Sequence, residues 1–149
     1  KVIIMTEADV DGAHIAALLV TFFHEQMPEL ITQGHLYIAV PPLYRLAQGS
    51  TTLYARDDEH REELLKTHFR ANAKVDVSRF KGLGEMLPAQ LKETTMMPGS
   101  RTLLQVEIPD AESKATAKTV KDLMGNKPEL RFKFIQENAA FADDELLDI

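Results

Sequence analysis

The stretch "VIIMTEADVDGAH", residues 2 to 14, decides the fold. It sets four apolar residues directly against three carboxylates, Glu7, Asp9 and Asp11. The continuous, β-branched run at 2–5 predicts a short strand covered on both faces. Gly12 reads as a turn residue. Ile15, Leu18, Leu19, Phe22, Phe23 and Met27 then recur at helical spacing, with His24, Glu25 and Gln26 off that face. Pro28 kinks or restarts the helix and Gly34 ends it. Residues 36–40 form a second apolar strand, so the opening predicts strand–helix–strand with the two strands parallel.

Working outward, Pro41-Pro42 break that strand, and Gln48-Gly49-Ser50 marks a turn between short strands at 43–47 and 52–56. Asp57 or Asp58 is placed to cap a charged helix carrying Leu64, Leu65 and Phe69. Residues 75–80 predict another strand. "KGLGEMLP" turns into a helix beginning near Pro88 and stopped before Pro98-Gly99. Leu104, Val106 and Ile108 alternate as a strand. Asp110 is expected to cap a helix with Ala117, Val120, Leu123 and Met124 inward and Gly125 as its stop. A last helix carries Phe132, Ile135 and Ala139. The sum is an α/β protein with a mixed, mainly parallel sheet.

The 149 residues suffice for one domain, or a compact domain with a small appendage. Hydrophobic content of 44% and charged content of 27% are ordinary for a globular chain. No apolar run approaches the roughly 18 residues of a membrane span, and with no cysteine neither disulfide nor thiolate metal site is available. A cytoplasmic protein is expected, and the start on a strand-like run without Met reads as a fragment of a longer polypeptide. Of the net charge of −6, −5 falls after Lys133, leaving the rest at −1. Composition alone therefore argues against a nucleic-acid binder.

The carboxylates argue otherwise. Ligands of open parallel sheets sit beyond the carboxyl ends of the strands, where Glu7, Asp9 and Asp11 lie. Along an extended stretch, side chains two residues apart point the same way. Like charges so close repel unless a cation neutralises them, and hard oxygens suit Mg²⁺. The expectation is a divalent-metal site for phosphoryl chemistry. The plainer reading is a solvated loop, or a helix cap through Asp11. "ADVDG" also looks like the D-x-D-G of haloacid-dehalogenase-type phosphatases, with Asp9 as nucleophile. There, however, the nucleophile follows the apolar run almost directly, and their usual Thr is Ala13 here.

"VIIMTEADVDGAHIAALLVTFF", "GHLYIAVPPLY", "RFKGLGEM", "LKETTM", "RTLLQV" and the closing "LLDI" together resemble the B subunits of bacterial type IIA DNA topoisomerases, gyrase and topoisomerase IV. "YARDDEH" and "FIQENAAFADDELLDI" lean toward the topoisomerase IV branch. The resemblance implies a Rossmann-like TOPRIM partial parallel sheet with helices on both faces, followed by a C-terminal α+β tail. It divides the chain into the C-terminal half of TOPRIM (1–47), a hairpin and connecting helix (48–75), a gyrase-B-type C-terminal region (76–141) and an acidic tail (142–149).

It also implies a function: an ATP-dependent DNA topoisomerase that passes one duplex through a break in another. The A subunit supplies the cleaving tyrosine within an A2B2 heterotetramer. Partners are that subunit and double-stranded DNA, with no membrane, in the bacterial nucleoid. Mg²⁺ is the implied metal, Mn²⁺ or Ca²⁺ its substitutes, and ATP binds only through an N-terminal domain outside this chain. By motif position Glu7, Asp9 and Asp11 become catalytic metal ligands. His14, Lys81, Arg79 and Arg131 become DNA contacts, and Glu85 orders the turn or helix start. A further family ligand, the Glu of an E-G-D-S-A motif, lies upstream of Lys1, so the fragment alone is expected to be inactive.

The chain departs from the family pattern at three places. Glu7 replaces the first Asp of T-D-A-D-V-D-G, moving its oxygens outward by roughly 1–1.5 Å. Met97 replaces the Asp of T-T-M-D-P, removing a turn or cap interaction. Phe132 replaces the second Arg of a pair that begins with Arg131. Tyr37, Tyr44 and Tyr54 fall in strand patterns and are expected to pack rather than react.

Overall fold

A computed structural model describes residues 1–70 and 74–139. The acidic tail expected at 142–149, and with it the closing "LLDI", lies outside the described residues. Strand β1 (Val2–Ile4) leads through a loop into helix α1 (Val10–Gln26). Pro28 restarts the chain as the short helix α2 (Glu29–Thr32), which ends where Gly34 takes a φ of 69°. Strand β2 (Leu36–Ala39) then pairs parallel with β1, Val2 opposite Leu36. The predicted strand–helix–strand unit is present.

Its helix, however, faces the other way. The inward stripe of α1 is Gly12, Ala16, Val20 and Phe23, at i, i+4, i+8 and i+11, packed with Ile4, Ile31 and Leu36. Of the residues expected inward, Phe23 is packed on the core, while Ile15, Leu18, Leu19, Phe22 and Met27 are exposed. Apolar residues almost encircle this helix, so periodicity alone could not choose a face. The choice falls to the close approach at Gly12, which brings the small-residue side onto the sheet.

Strands β3 (Tyr44–Gln48) and β4 (Thr51–Ala55) form the predicted hairpin, with Gly49 at φ 59° in its turn. Helix α3 (Asp58–Thr67) starts at Asp57, whose carboxylate accepts the His60 amide at 2.7 Å. Strand β5 (Asp76–Arg79) adds antiparallel to β3, giving a sheet ordered β4-β3-β5. Leu46, fully buried, centres its core with Tyr44, Ala55 and Leu64. After a 3-10 turn at Leu83–Glu85 come helix α4 (Pro88–Leu91) and a single wide π-turn, Lys92–Met96.

Strand β6 (Leu103–Gln105) returns antiparallel to β2, so the first sheet is ordered β1-β2-β6. The α/β class holds, but the sheet is not mainly parallel. Among the described residues one ladder is parallel and three are antiparallel. Only β3 and β4 are joined by a tight hairpin; β5 and β6 pair antiparallel after long connections, and the parallel pair β1–β2 needs the crossover through α1. Val106 and Ile108 join the first core, while Leu104 is 55% exposed.

Helices α5 (Ser113–Met124) and α6 (Pro128–Asn138) close the described chain. Asp110 does not cap α5: a 3-10 turn, Asp110–Glu112, intervenes, and Glu112 stands at the cap without a side-chain bond. Val120, Leu123 and Met124 are half-buried, but Thr116 takes the place expected for the exposed Ala117. The turn at Met97 needs no acidic side chain, because the amides of Ser100 and Arg101 both bond the Met97 carbonyl. Among the described residues no helix is long and apolar enough to cross a membrane.

Candidate functional site

The acidic loop joins β1 to α1. Asp9 is the N-cap of the helix, at φ −94° and ψ −179°, and its Oδ1 accepts the Gly12 amide at 2.7 Å. A carboxylate there also meets the positive end of the helix dipole. The cap is therefore Asp9 rather than Asp11. Asp11 already lies on the first helical turn, so the two-residue alternation expected through all three carboxylates stops at Asp9. Among the described residues no three His, Asp or Glu side chains are grouped to hold a metal.

A pair remains. Glu7 and Asp9 both stand on the rim of a groove of ≈ 610 Å³ whose walls include Ala13, Ala16, Val20, Ile38 and Val40. Mg²⁺ usually takes one or two protein carboxylates and keeps its waters. Glu7, with the Asp9 oxygen not used by the cap, supplies hard donors of that number. The pair suits such a cation, although a three-carboxylate cage is not formed.

The second element of the site is the turn after β5. Phe80 and Met86 are buried, and with Ala8, Pro41, Pro42 and Leu83 they enclose a void of only ≈ 10 Å³. Ala8 of the acidic loop therefore borders the turn while staying exposed to solvent. The Lys81 amide donates to Glu85 Oε2 at 2.8 Å, and the Glu85 and Met86 amides bond the Gly82 and Leu83 carbonyls. Glu85 orders this turn, as expected. Asp9, Arg79 and Lys81 then line one cleft of ≈ 350 Å³.

The structure therefore brings three of the seven sequence-predicted residues, Asp9, Arg79 and Lys81, into one cleft, and Glu7 shares the neighbouring groove with Asp9. Asp11 and His14 stand exposed on the first turns of α1. Arg131 is engaged elsewhere: its Nη1 donates to the carbonyls of Gly125 at 2.6 Å and Leu123 at 3.4 Å, closing the end of α5. The link that sequence reading missed is between Glu7 and Gly82, where a Cβ would come within 2.5 Å of Glu7 Oε1. The doubled glycines of "KGLG" were the available signal, though nothing in the sequence named the partner.

The tyrosines Tyr44 and Tyr54 pack as expected. Tyr44 is buried and donates to Asp58 Oδ1 at 2.9 Å, while Arg61 lies 4.8 Å over its ring. Burial, and then the Asp58 bond, push its phenol pKa up. Burial likewise raises that of Tyr54, with the Glu93 charge adding to it. A raised phenol is a poorer nucleophile at neutral pH.

A family model described as "DNA gyrase B subunit, carboxyl terminus" matches residues 72–136. The B subunit of DNA topoisomerase 4 from Bartonella bacilliformis is 60% identical over 149 residues, all of this chain and 21% of the relative. That from Caulobacter vibrioides is 61% identical over 146 residues, 98% of this chain and 21% of the relative. The chain belongs to the type IIA topoisomerase B-subunit family. Within that family, the B subunit of DNA gyrase from Clostridium acetobutylicum is 50% identical over 139 residues, covering 93% of this chain and 22% of the relative. The chain spans about a fifth of the length of the curated relatives it matches. The phosphatase alternative finds no support among these names. It also fails on geometry, since β1 ends at Ile4 and Asp9 follows a loop as a helix cap.

Proposed function

We propose that this chain is the metal-holding and DNA-facing part of an ATP-dependent type IIA topoisomerase of the topoisomerase IV kind. The observation that carries the reading is the convergence of the acidic loop with the Arg79–Lys81 segment at one cleft. One carboxylate, Asp9, beside two cations, with Glu7 in the adjoining groove, suits a phosphodiester and the divalent ion it would share with the protein.

Glu7 and Asp9 would hold Mg²⁺, with Asp11 acting through water. When bound there, the cation neutralises charge on the scissile phosphate and its leaving oxygen. Asp9 has one oxygen committed to the helix start, which fixes its orientation before any ligand arrives. Lys81 and Arg79 would draw the DNA backbone toward the carboxylates, and His14, exposed beside the start of α1, would donate to a neighbouring phosphate. Tyr44 and Tyr54 are spoken for by packing, consistent with a nucleophile on the A subunit. ATP would bind on a part of the polypeptide outside this chain. Glu7, one methylene longer than the family's Asp, would hold its oxygens off the ideal position.

The test is reconstitution of the intact B subunit with its A partner. Asp9→Asn keeps the cap's acceptor oxygen and removes the charge, so Mg²⁺-dependent cleavage should collapse while DNA binding persists. Glu7→Asp should raise cleavage. Decatenation should exceed negative supercoiling, as the higher identity to topoisomerase 4 relatives favours. Cleavage by Asp9→Asn at the unmodified level would refute the metal role, and efficient ATP-dependent supercoiling would move the chain to the gyrase branch.

A further inference from the structure

The backbone at Gly82 does not ask for glycine. Its φ of −152° and ψ of 167° are extended, a conformation any residue adopts. Space is what excludes a side chain: an added Cβ would lie 2.5 Å from Glu7 Oε1, 2.8 Å from Cδ and 3.1 Å from Oε2. The Glu7 carboxylate occupies the place where the side chain of residue 82 would be. Gly84, two residues on in the same turn, has nothing within 4 Å of an added Cβ, so the tightness is local to Glu7.

We propose that Gly82 is a positioning residue for the acidic loop, its bare backbone forming the shelf that sets where the Glu7 carboxylate rests. The shelf is rigid from below. Phe80 and Met86 are buried at the two ends of the turn, and the Lys81 amide is tied to Glu85. The group resting on it is the free end of a flexible side chain. An alanine at this position would thus leave the fold intact and push the carboxylate aside. This differs from Gly12, where a Cβ would strike the Glu7 backbone itself. The consequence for metal binding rests on the function proposed above; the seating of Glu7 does not.

The experiment is a double-mutant cycle in the intact B subunit: unmodified protein, Gly82→Ala, Glu7→Asp and both together. Each is measured by Mn²⁺ calorimetry and thermal melting. Disturbing a group that orients a metal ligand typically costs 10–100-fold in affinity. Gly82→Ala should lose about tenfold with an unchanged melting point. In the Glu7→Asp background, where the shorter side chain is withdrawn from the shelf, adding Gly82→Ala should change affinity less than about twofold. Equal losses in both backgrounds, or none in either, would overturn the proposal. If the unmodified protein binds no Mn²⁺, the metal reading falls. The shelf is then judged by the ¹³C carboxyl resonance of Glu7, which must shift in Gly82→Ala for the proposal to stand and refutes it by staying put.

Discussion

Replacing Gly12 by alanine tests how the acidic loop is folded over its helix. The new Cβ would collide with the carbonyl of Glu7, a backbone atom that moves only if the whole loop moves. Overpacking of this kind costs about 1–3 kcal/mol. Displacing the loop also endangers the 2.7 Å bond from the Gly12 amide to Asp9, a cap worth about 1 kcal/mol. Against this, alanine is about 1 kcal/mol better than glycine within a helix. The net loss is about 1–3 kcal/mol, a fall in Tm of roughly 2–12 °C for a chain of this size. Gly84→Ala is the control. An added Cβ there meets open space, and the change should be neutral or stabilising by up to about 1 kcal/mol. Melting followed by circular dichroism, with urea midpoints alongside, reads both. A Gly12→Ala protein that melts with the unmodified one, or a Gly84→Ala loss of equal size, would refute the reasoning.

Other substitutions probe the remaining structure. Asp57 is held below the usual carboxylate range chiefly by the His60 amide and then by Arg56. Its folded pKa thus lies under the unfolded value of about 3.9, so its charge stabilises the fold fully above that pH and progressively less as pH falls through the folded value. Asp57→Asn should flatten that part of the urea-midpoint profile below about pH 5, and superimposable profiles would contradict the assignment. Arg131→Gln should destabilise by about 1–2 kcal/mol through lost bonds to the end of α5, with the salt dependence of DNA binding unaltered. A salt slope reduced by about one, with unchanged melting, would make Arg131 a phosphate contact instead. Leu46→Ala, at a fully buried site, should cost about 2–5 kcal/mol, whereas Leu104→Ala on the exposed face of β6 should stay within about 0.5 kcal/mol by urea unfolding.

Local chemistry made much of this architecture legible. The prolines and glycines at 28, 34, 41, 42 and 49 placed the breaks, and the pair Asp57-Asp58 marked the start of α3, with Asp57 as its cap. What sequence could not supply were choices made by tertiary contact. Helix α1 carries apolar residues on nearly every side, so its inward face is set by Gly12 against the loop rather than by the larger residues at 15, 18, 19 and 22. Strand direction was likewise hidden, because β6 returns from a distant part of the chain to lie antiparallel beside β2. At the site, the alternation expected through Asp11 failed, since a helix had already begun at Val10. The meeting of Glu7 with Gly82 joins residues far apart in sequence, and no spacing rule reaches that far.

The most direct measurement is anomalous diffraction from crystals of the intact heterotetramer grown with DNA and Mn²⁺. The account predicts a manganese peak bridging the Glu7 and Asp9 carboxylates and a backbone phosphate, with Lys81 facing the same strand. A map without manganese at those two side chains, while the DNA is well ordered in the cleft, would contradict it.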